Sequence, residues 1–315
     1  CRGAISWLYL LVNECTGETI NLGTNDGSNP FIVQSADYRD YRPSIQFASV
    51  LILNQRVYED SICINEPLFW LNVNFNLPLV KPCLMQSKVL KPSGIVALFG
   101  EEISPIETTV FIKYPNYVFR PGQSDALHMD LWYAGKNIFR DVGSYSYNSV
   151  IDEDKYFSSN RAHNTIQVDN FEPMAKVGPF LRTNWSEMTA TGEIEKDVKT
   201  LSWCGQYNIK PGTSHMRRVM FRDDTWEVFD QVVGASNVIV LRWHLAPGFW
   251  VRTGNIFTCE KIKIELFSNK TMTIELCQGL ESRYYNEYNV LPVIEVSVYA
   301  HSATFSTEIS VRDKV

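Results

Sequence analysis

The feature that most constrains this chain is a change of hydrophobic period near Gly94. Upstream, "RGAISWLYLLV" and "RPSIQFASVLILNQRVYE" carry apolar residues at intervals of three and four, as helices packed on one face do. Downstream, "KIKIELF", "TMTIEL" and "VIEVSVYA" alternate apolar with polar residues, the period of half-buried strands. Turn signals recur about every ten residues up to Val315, and "FRDDTWEVFD" predicts a hairpin turning at Asp223 and Asp224. Such a series of short strands predicts a large antiparallel β-sandwich. The chain therefore reads as mostly β, with a helical part over residues 1–88 and a sandwich over 89–315. Pro78, Pro82 and Pro92 mark the join, and Pro43 suits the first turn of the second helix.

Composition narrows the partners. With 315 residues and 45% hydrophobic content, the chain can build one large core or two ordinary ones. A net charge of −6 provides no general basic surface, which argues against nucleic acid or an acidic membrane as partner. No apolar run approaches the roughly 20 residues that span a bilayer. The seven cysteines show no CxxC or finger spacing, so mostly buried free thiols are expected rather than a zinc–cysteine site. The chain opens at Cys1 inside a helical pattern without a Met, as a piece of a longer protein would.

The unusual load of polar side chains lies in "GQSDALHMDLWYAGKNIFRDVGSYSY" and "YFSSNRAHNTIQVDN". Gln123, Asp141 and His163 offer an amide oxygen, a carboxylate and an imidazole, a set able to hold a metal ion if neighbouring strands bring them together. The competing reading has His163 capping a turn and Asp141 binding backbone amides. Strand alternation puts Asp125, Leu127 and Met129 on one face and His128 with Asp130 on the other. His128 is thus either a substitute acid or base, reached through a bulge, or a structural histidine paired with Asp130 or a tyrosine. Tyr145 and Tyr147 flank the turn after Asp141, lining a cleft or packing the sandwich. In the helical part, Asn25, Asp26, Arg39 and Arg42 form a polar cluster, either a contact surface or an Asx turn with Arg39 paired to Asp40 or Asp26. His215, Arg217 and His244 alternate with apolar neighbours, as rim or satisfied core residues do.

Those two polar stretches together resemble the signature segment of the heparinase II/III family of polysaccharide lyases, the heparinase III type above all. "NLGTNDGSNPF…YRDYRPSIQFA" is similar to the last helical hairpins of the family's α/α-toroid, and "HMRRVMFRDDTWEVFDQVVG" and "GLESRYYNEYNVLP" to its later sandwich strands. The resemblance implies the end of an α/α-toroid followed by the sandwich. It also implies a divalent ion, calcium or zinc, at Gln123, Asp141 and His163. The expected partner is an acidic, uronate-containing polysaccharide, cleaved by β-elimination, and a periplasmic or extracellular location. The net negative charge favours a carboxylated or lightly charged glycan over a densely sulfated one. Sugar contacts are expected at Asn25, Asp26 and Arg42 on toroid loops and at Arg120 as a carboxylate partner.

The chain departs from the family at Pro121, in "FRPGQSD", where relatives that cleave polysaccharides carry a catalytic His. Proline cannot exchange a proton. The family's catalytic Asn and Tyr fall on the toroid ahead of Cys1, leaving His128 and Tyr145 as the catalytic candidates within this chain. A non-catalytic carbohydrate-binding or polysaccharide-assembly protein of the same fold is the alternative, with Pro121 as its support. A sandwich without any site is the third.

Overall fold

The computed structural model describes residues 1–24, 27–28, 33–118, 120–146, 152–178 and 181–311. The chain divides into two compact units, Cys1–Leu22 with Gly27–Gln86, and Gly23–Asp26 with Ser87–Val315.

Among the described residues, three α-helices, Arg2–Leu11, Arg42–Leu53 and Ile62–Trp70, make up the regular part of the first unit. Ile5, Tyr9 and Val12 recur at helical spacing and meet Ile45, Val57, Tyr58 and Ile64 in one small core. Pro43 sits in the first turn of the second helix, where its missing N–H costs nothing. The third helix carries Pro67 inside it, a residue that in sequence reads as a breaker. Gln46 is completely buried and ties the layers together. Its oxygen accepts from the N–H groups of Val57 and Tyr58, and its amide donates to Asn65 Oδ1 at 2.8 Å.

The second unit is built from antiparallel sheets. A five-stranded meander runs Lys88–Leu90, Ile95–Phe99, Thr108–Lys113, Met129–Tyr133 and Lys136–Phe139. A nine-stranded sheet contains the long strands Thr200–Lys210, Thr213–Arg222, Thr225–Val233, Ile262–Ser268 and Ser302–Val311. A four-stranded sheet pairs Thr273–Glu281, Asn289–Tyr299, Val238–His244 and Ile166–Val168. Buried side chains of all three sheets, among them Val96, Leu98, Trp203, Phe221, Trp243 and Val296, share one core. Ile262–Ser268 alternates buried with partly covered residues as its sequence predicts. The hairpin turn falls at Asp223 and Asp224, both at positive φ, between the paired residues Arg222 and Thr225. Two such residues in succession match the right-handed twist of the strands they join.

All seven cysteines are free, but none is fully buried: Cys1, Cys15 and Cys63 are exposed and the other four half-covered. The expectation of buried thiols fails: Cys204, Cys259 and Cys277 stand at half-covered strand positions, Cys259 packed against the edge of the shared core. No helix among the described residues is long and apolar enough to cross a membrane.

Candidate functional site

Asp141 follows the strand Lys136–Phe139, and its carboxylate is almost fully enclosed, with 1% of the side chain exposed. Its Oδ1 accepts the N–H of Gly143 at 2.9 Å. Gly143 takes φ +85°, and a Cβ there would lie 2.0 Å from the Ser282 carbonyl oxygen, so only glycine permits the turn. The other oxygen, Oδ2, faces three basic groups: Lys113 Nζ at 2.9 Å, His163 Nδ1 at 3.3 Å and His128 Nε2 at 3.7 Å. Burial pushes the Asp141 carboxyl up, but the Lys113 ammonium first, then His163 and His128, hold it well below the usual carboxylate range. Lys113, on the strand Thr108–Lys113, also lies 3.3 Å from Asp125. Burial alone would lower its ammonium, whereas Asp141, Asp125 and Asp130 together raise it.

His128 keeps Asp130 as its neighbour, as alternation predicts, but it stands in a turn rather than on a strand. Leu127 takes φ 55° and the His128 N–H donates to Asp125 O at 3.0 Å, so a tight turn precedes the strand that starts at Met129. That turn brings the imidazole, completely buried, against Asp141 and edge-on to His163, with ring centres 5.4 Å apart. The Asn164 N–H donates to Nδ1 at 2.9 Å, so the proton sits on Nε2, which donates to Asp130 Oδ2 at 3.0 Å. Both ring nitrogens are engaged and the ring has no exposure. A general acid or base must come within hydrogen-bond reach of its substrate, so this geometry opposes a catalytic His128 and supports its pairing with Asp130.

His163 follows a single 3-10 turn, Asn160–Ala162, and precedes the strand Ile166–Val168. Its ring is completely buried, yet neither nitrogen is aligned for a hydrogen bond among the described residues, Nδ1 only approaching Asp141 Oδ2 at 3.3 Å. The next residue, Asn164, is the hub of the site. Its amide donates to Met129 O at 2.9 Å and Arg140 O at 3.3 Å, and its Oδ1 accepts the His244 N–H at 2.6 Å. Arg217 donates to Asn164 O and to Leu127 O, both at 2.6 Å, and so ties together the two segments that carry the histidines. A two-pronged pair with Asp230, at 2.7 and 3.0 Å, fixes that guanidinium. Four of the five histidines, His128, His163, His215 and His244, are completely buried, far beyond the usual frequency for this residue.

Gln123 is buried, and its amide nitrogen donates to Gly143 O at 2.8 Å and Phe157 O at 3.3 Å. It therefore braces the same turn that holds Asp141. Arg182 secures this irregular stretch by donating to Gly122 O, Ser124 Oγ, Ser158 O and Met174 O. The donor chemistry fits a divalent ion in part. His163 brings two unbonded buried nitrogens, and its 3.3 Å spacing to Asp141 Oδ2 is close to the roughly 3.4 Å between donors around a tetrahedral zinc. Once the Gln123 nitrogen is spent on carbonyls, its oxygen is the atom of ligand chemistry. His128, the third member of the closest His/Asp group, has no nitrogen to offer.

The remaining candidates are scattered. Tyr145, at φ 55°, stacks on Phe157 with ring centres 5.5 Å apart and meets Tyr288 edge-on, the packing alternative. Arg120 is exposed, next to buried Pro121. Arg42 grips Asp40 through Nε and Nη2 at 2.9 and 2.7 Å and donates to Glu14 O and Cys15 O, which leaves its guanidinium committed within the helical unit. Asp40 thus pairs with Arg42, while Arg39 lies 4.0 Å from Glu18. Asn25, Asp26 and Tyr147 lie outside the described residues. Lys113 went unread because a lysine ending an apolar strand reads as a solvated strand end, and Asn164 because only the His of "HN" draws metal chemistry.

A core shared by antiparallel sheets, with a buried Asp–His cluster on loops within and after the meander, defines a large β-sandwich fold with an internal polar centre. The family model described as "Heparinase II/III-like, C-terminal" matches residues 105–311, and the chain belongs to this family. No curated protein matches. Among solved structures, one titled a crystal structure of heparinase III is 15% identical with a TM-score of 0.70, covering 100% of this chain and 48% of its own. A heparan sulfate lyase HepC from Pedobacter heparinus is 14% identical with a TM-score of 0.69, covering 97% and 45%. A heparinase III with methylated lysines is 18% identical with a TM-score of 0.68, covering 93% and 44%. The chain thus spans less than half the length of these solved structures, with which it shares the fold.

Proposed function

We propose that the chain is part of a polysaccharide lyase that cleaves an acidic, uronate-containing polysaccharide by β-elimination, its helical unit belonging to an α/α-toroid. The observation that carries this reading is the family match over residues 105–311, which includes Asp141 and His163. In β-elimination a base removes the C5 proton, the C–H electron pair forms the C4–C5 double bond, and the oxygen on C4 departs as it takes a proton from an acid. Neutralising the adjacent carboxylate lowers the barrier to the first step, and exposed Arg120 has the charge to do so. Gln123, Asp141 and His163 would hold a divalent ion, calcium or zinc, whose contribution is to fix the loops they stand on. His128 and Asn164 brace that centre from within. The proton-transfer groups are assigned to the toroid, consistent with Pro121 at the usual His position and a sealed His128.

The test is ultraviolet absorbance at the unsaturated-uronate band, with the full-length protein on a panel of uronate polysaccharides. A rise on a carboxylated or lightly charged substrate is expected. Intact glycan binding with no rise on any substrate would remove the lyase reading and leave the non-catalytic carbohydrate-binding alternative that Pro121 favours.

A further inference from the structure

Reading Asp141 and His163 as ligands of a divalent ion leaves Lys113 to be explained. Its Nζ stands 2.9 Å from Asp141 Oδ2, the same oxygen that His163 Nδ1 approaches at 3.3 Å. The Lys113 side chain is only 12% exposed, so its charge is met by carboxylates rather than by water. A second carboxylate, Asp125, lies 3.3 Å from the same ammonium and is itself 18% exposed, on the more open side of the cluster. Two cations crowded on one buried oxygen repel strongly, because little water screens them. An ammonium and a metal ion on the same buried Oδ2 therefore each weaken the other's hold on it.

We infer that Lys113 is the resident cation of the Asp141–His163 site: its ammonium neutralises Asp141 in the ion-free chain, and a divalent ion enters only by displacing it toward Asp125. Asp125 then serves as the second berth, which keeps the lysine paired in both states. The inference rests on the assignment of Asp141 and His163 as ligands and is independent of lyase activity.

The experiment is calorimetric titration of zinc and of calcium into the full-length protein and its Lys113→Met variant, with thermal unfolding recorded in parallel. The variant is expected to bind the preferred ion at least about tenfold more tightly than the unaltered protein, and that ion should raise its Tm by more. Lys113→Arg, which retains a cation, should bind as weakly as the unaltered protein. Should Lys113→Met fail to fold, Lys113→Gln removes the charge while keeping a hydrogen-bond donor for Asp141, and the same tenfold gain is expected. Tight stoichiometric binding that Lys113 substitution leaves unchanged would overturn the inference and preserve the ligand assignment. Binding in neither protein would overturn both, while the absorbance assay on polysaccharide decides the lyase reading separately.

Discussion

The backbone N–H of Asn164 donates to Nδ1 of His128 at 2.9 Å. This one bond assigns the tautomer: with Nδ1 accepting, Nε2 carries the proton and donates it to Asp130. A histidine that looks like a spare acid or base in the sequence is thereby turned into a brace between two loops. His128→Ala leaves Asn164 N–H and Asp130 without their buried partner and is expected to cost about 2–4 kcal/mol. Urea unfolding of the variant measures this, and a midpoint unchanged from the unaltered protein would contradict the bracing role.

Asn164 is expected to be among the least replaceable residues of the sandwich. Its amide donates to Met129 O and Arg140 O while its oxygen accepts from His244 N–H. Asn164→Asp keeps the shape but sets a carboxylate oxygen against two carbonyls. It should therefore destabilise by at least as much as Asn164→Ala, about 3 kcal/mol. Guanidinium unfolding of the pair checks the order; an Asp variant more stable than the Ala variant would refute the donor assignment.

Gly143→Ala combines a positive φ of 85° with a Cβ only 2.0 Å from Ser282 O. Because the obstacle is backbone, the turn that presents Asp141 must move. A loss of roughly 3 kcal/mol or more is expected, together with weaker binding of any ion at Asp141. Thermal unfolding and metal titration together provide the check, and a variant with the parental Tm would show that the turn yields freely.

The buried Arg217–Asp230–His215 group gives the stability a defined pH dependence. Burial pushes the Asp230 carboxyl up, but Arg217 and then His215 bring it down to about 2, below its ordinary value of 3.8. Its contribution is therefore present above pH 3.8 and lost as pH falls toward 2, and amounts to roughly 2 kcal/mol. His215 is depressed from 6.5, because burial outweighs the pull of Asp230. A depressed imidazole favours the neutral folded form, so its contribution is present above pH 6.5 and declines below it. His244, held well below its usual value first by burial and then by His163, Arg242 and His128, acts in the same direction. Stability measured by urea unfolding should be level near pH 7–8, fall below about 6.5 and fall again below about 4. A rise in stability between pH 7 and 5 would be incompatible with buried neutral histidines. Asp230→Asn, which strands the Arg217 charge, should cost about 3–5 kcal/mol at neutral pH.

Much of this architecture is legible along the chain because strand and helix periods are local. The alternation in "KIKIELF" returns as the strand Ile262–Ser268, and the Asp223–Asp224 turn falls where two residues of small steric cost at positive φ separate matching runs. Asp141 and His163, two of the three residues expected to share an ion, stand together at 3.3 Å. Local reasoning failed where the backbone leaves its period. Alternation set His128 beside Asp130, and the two do pair at 3.0 Å, but a turn with Leu127 at positive φ replaces the expected strand and brings the ring within 3.7 Å of Asp141.

By itself, then, the order of residues determined which segments are helix, which are strand and which polar residues were worth watching, since those depend on neighbours within a few positions. Only the tertiary structure decided that Lys113 shares a carboxylate oxygen with His163, that Asn164 joins His128 to His244, and that Arg217 reaches across from another sheet to secure both. Those meetings depend on the pairing register of distant strands and on which faces enclose the common core, and charge and desolvation then set what each buried group can do.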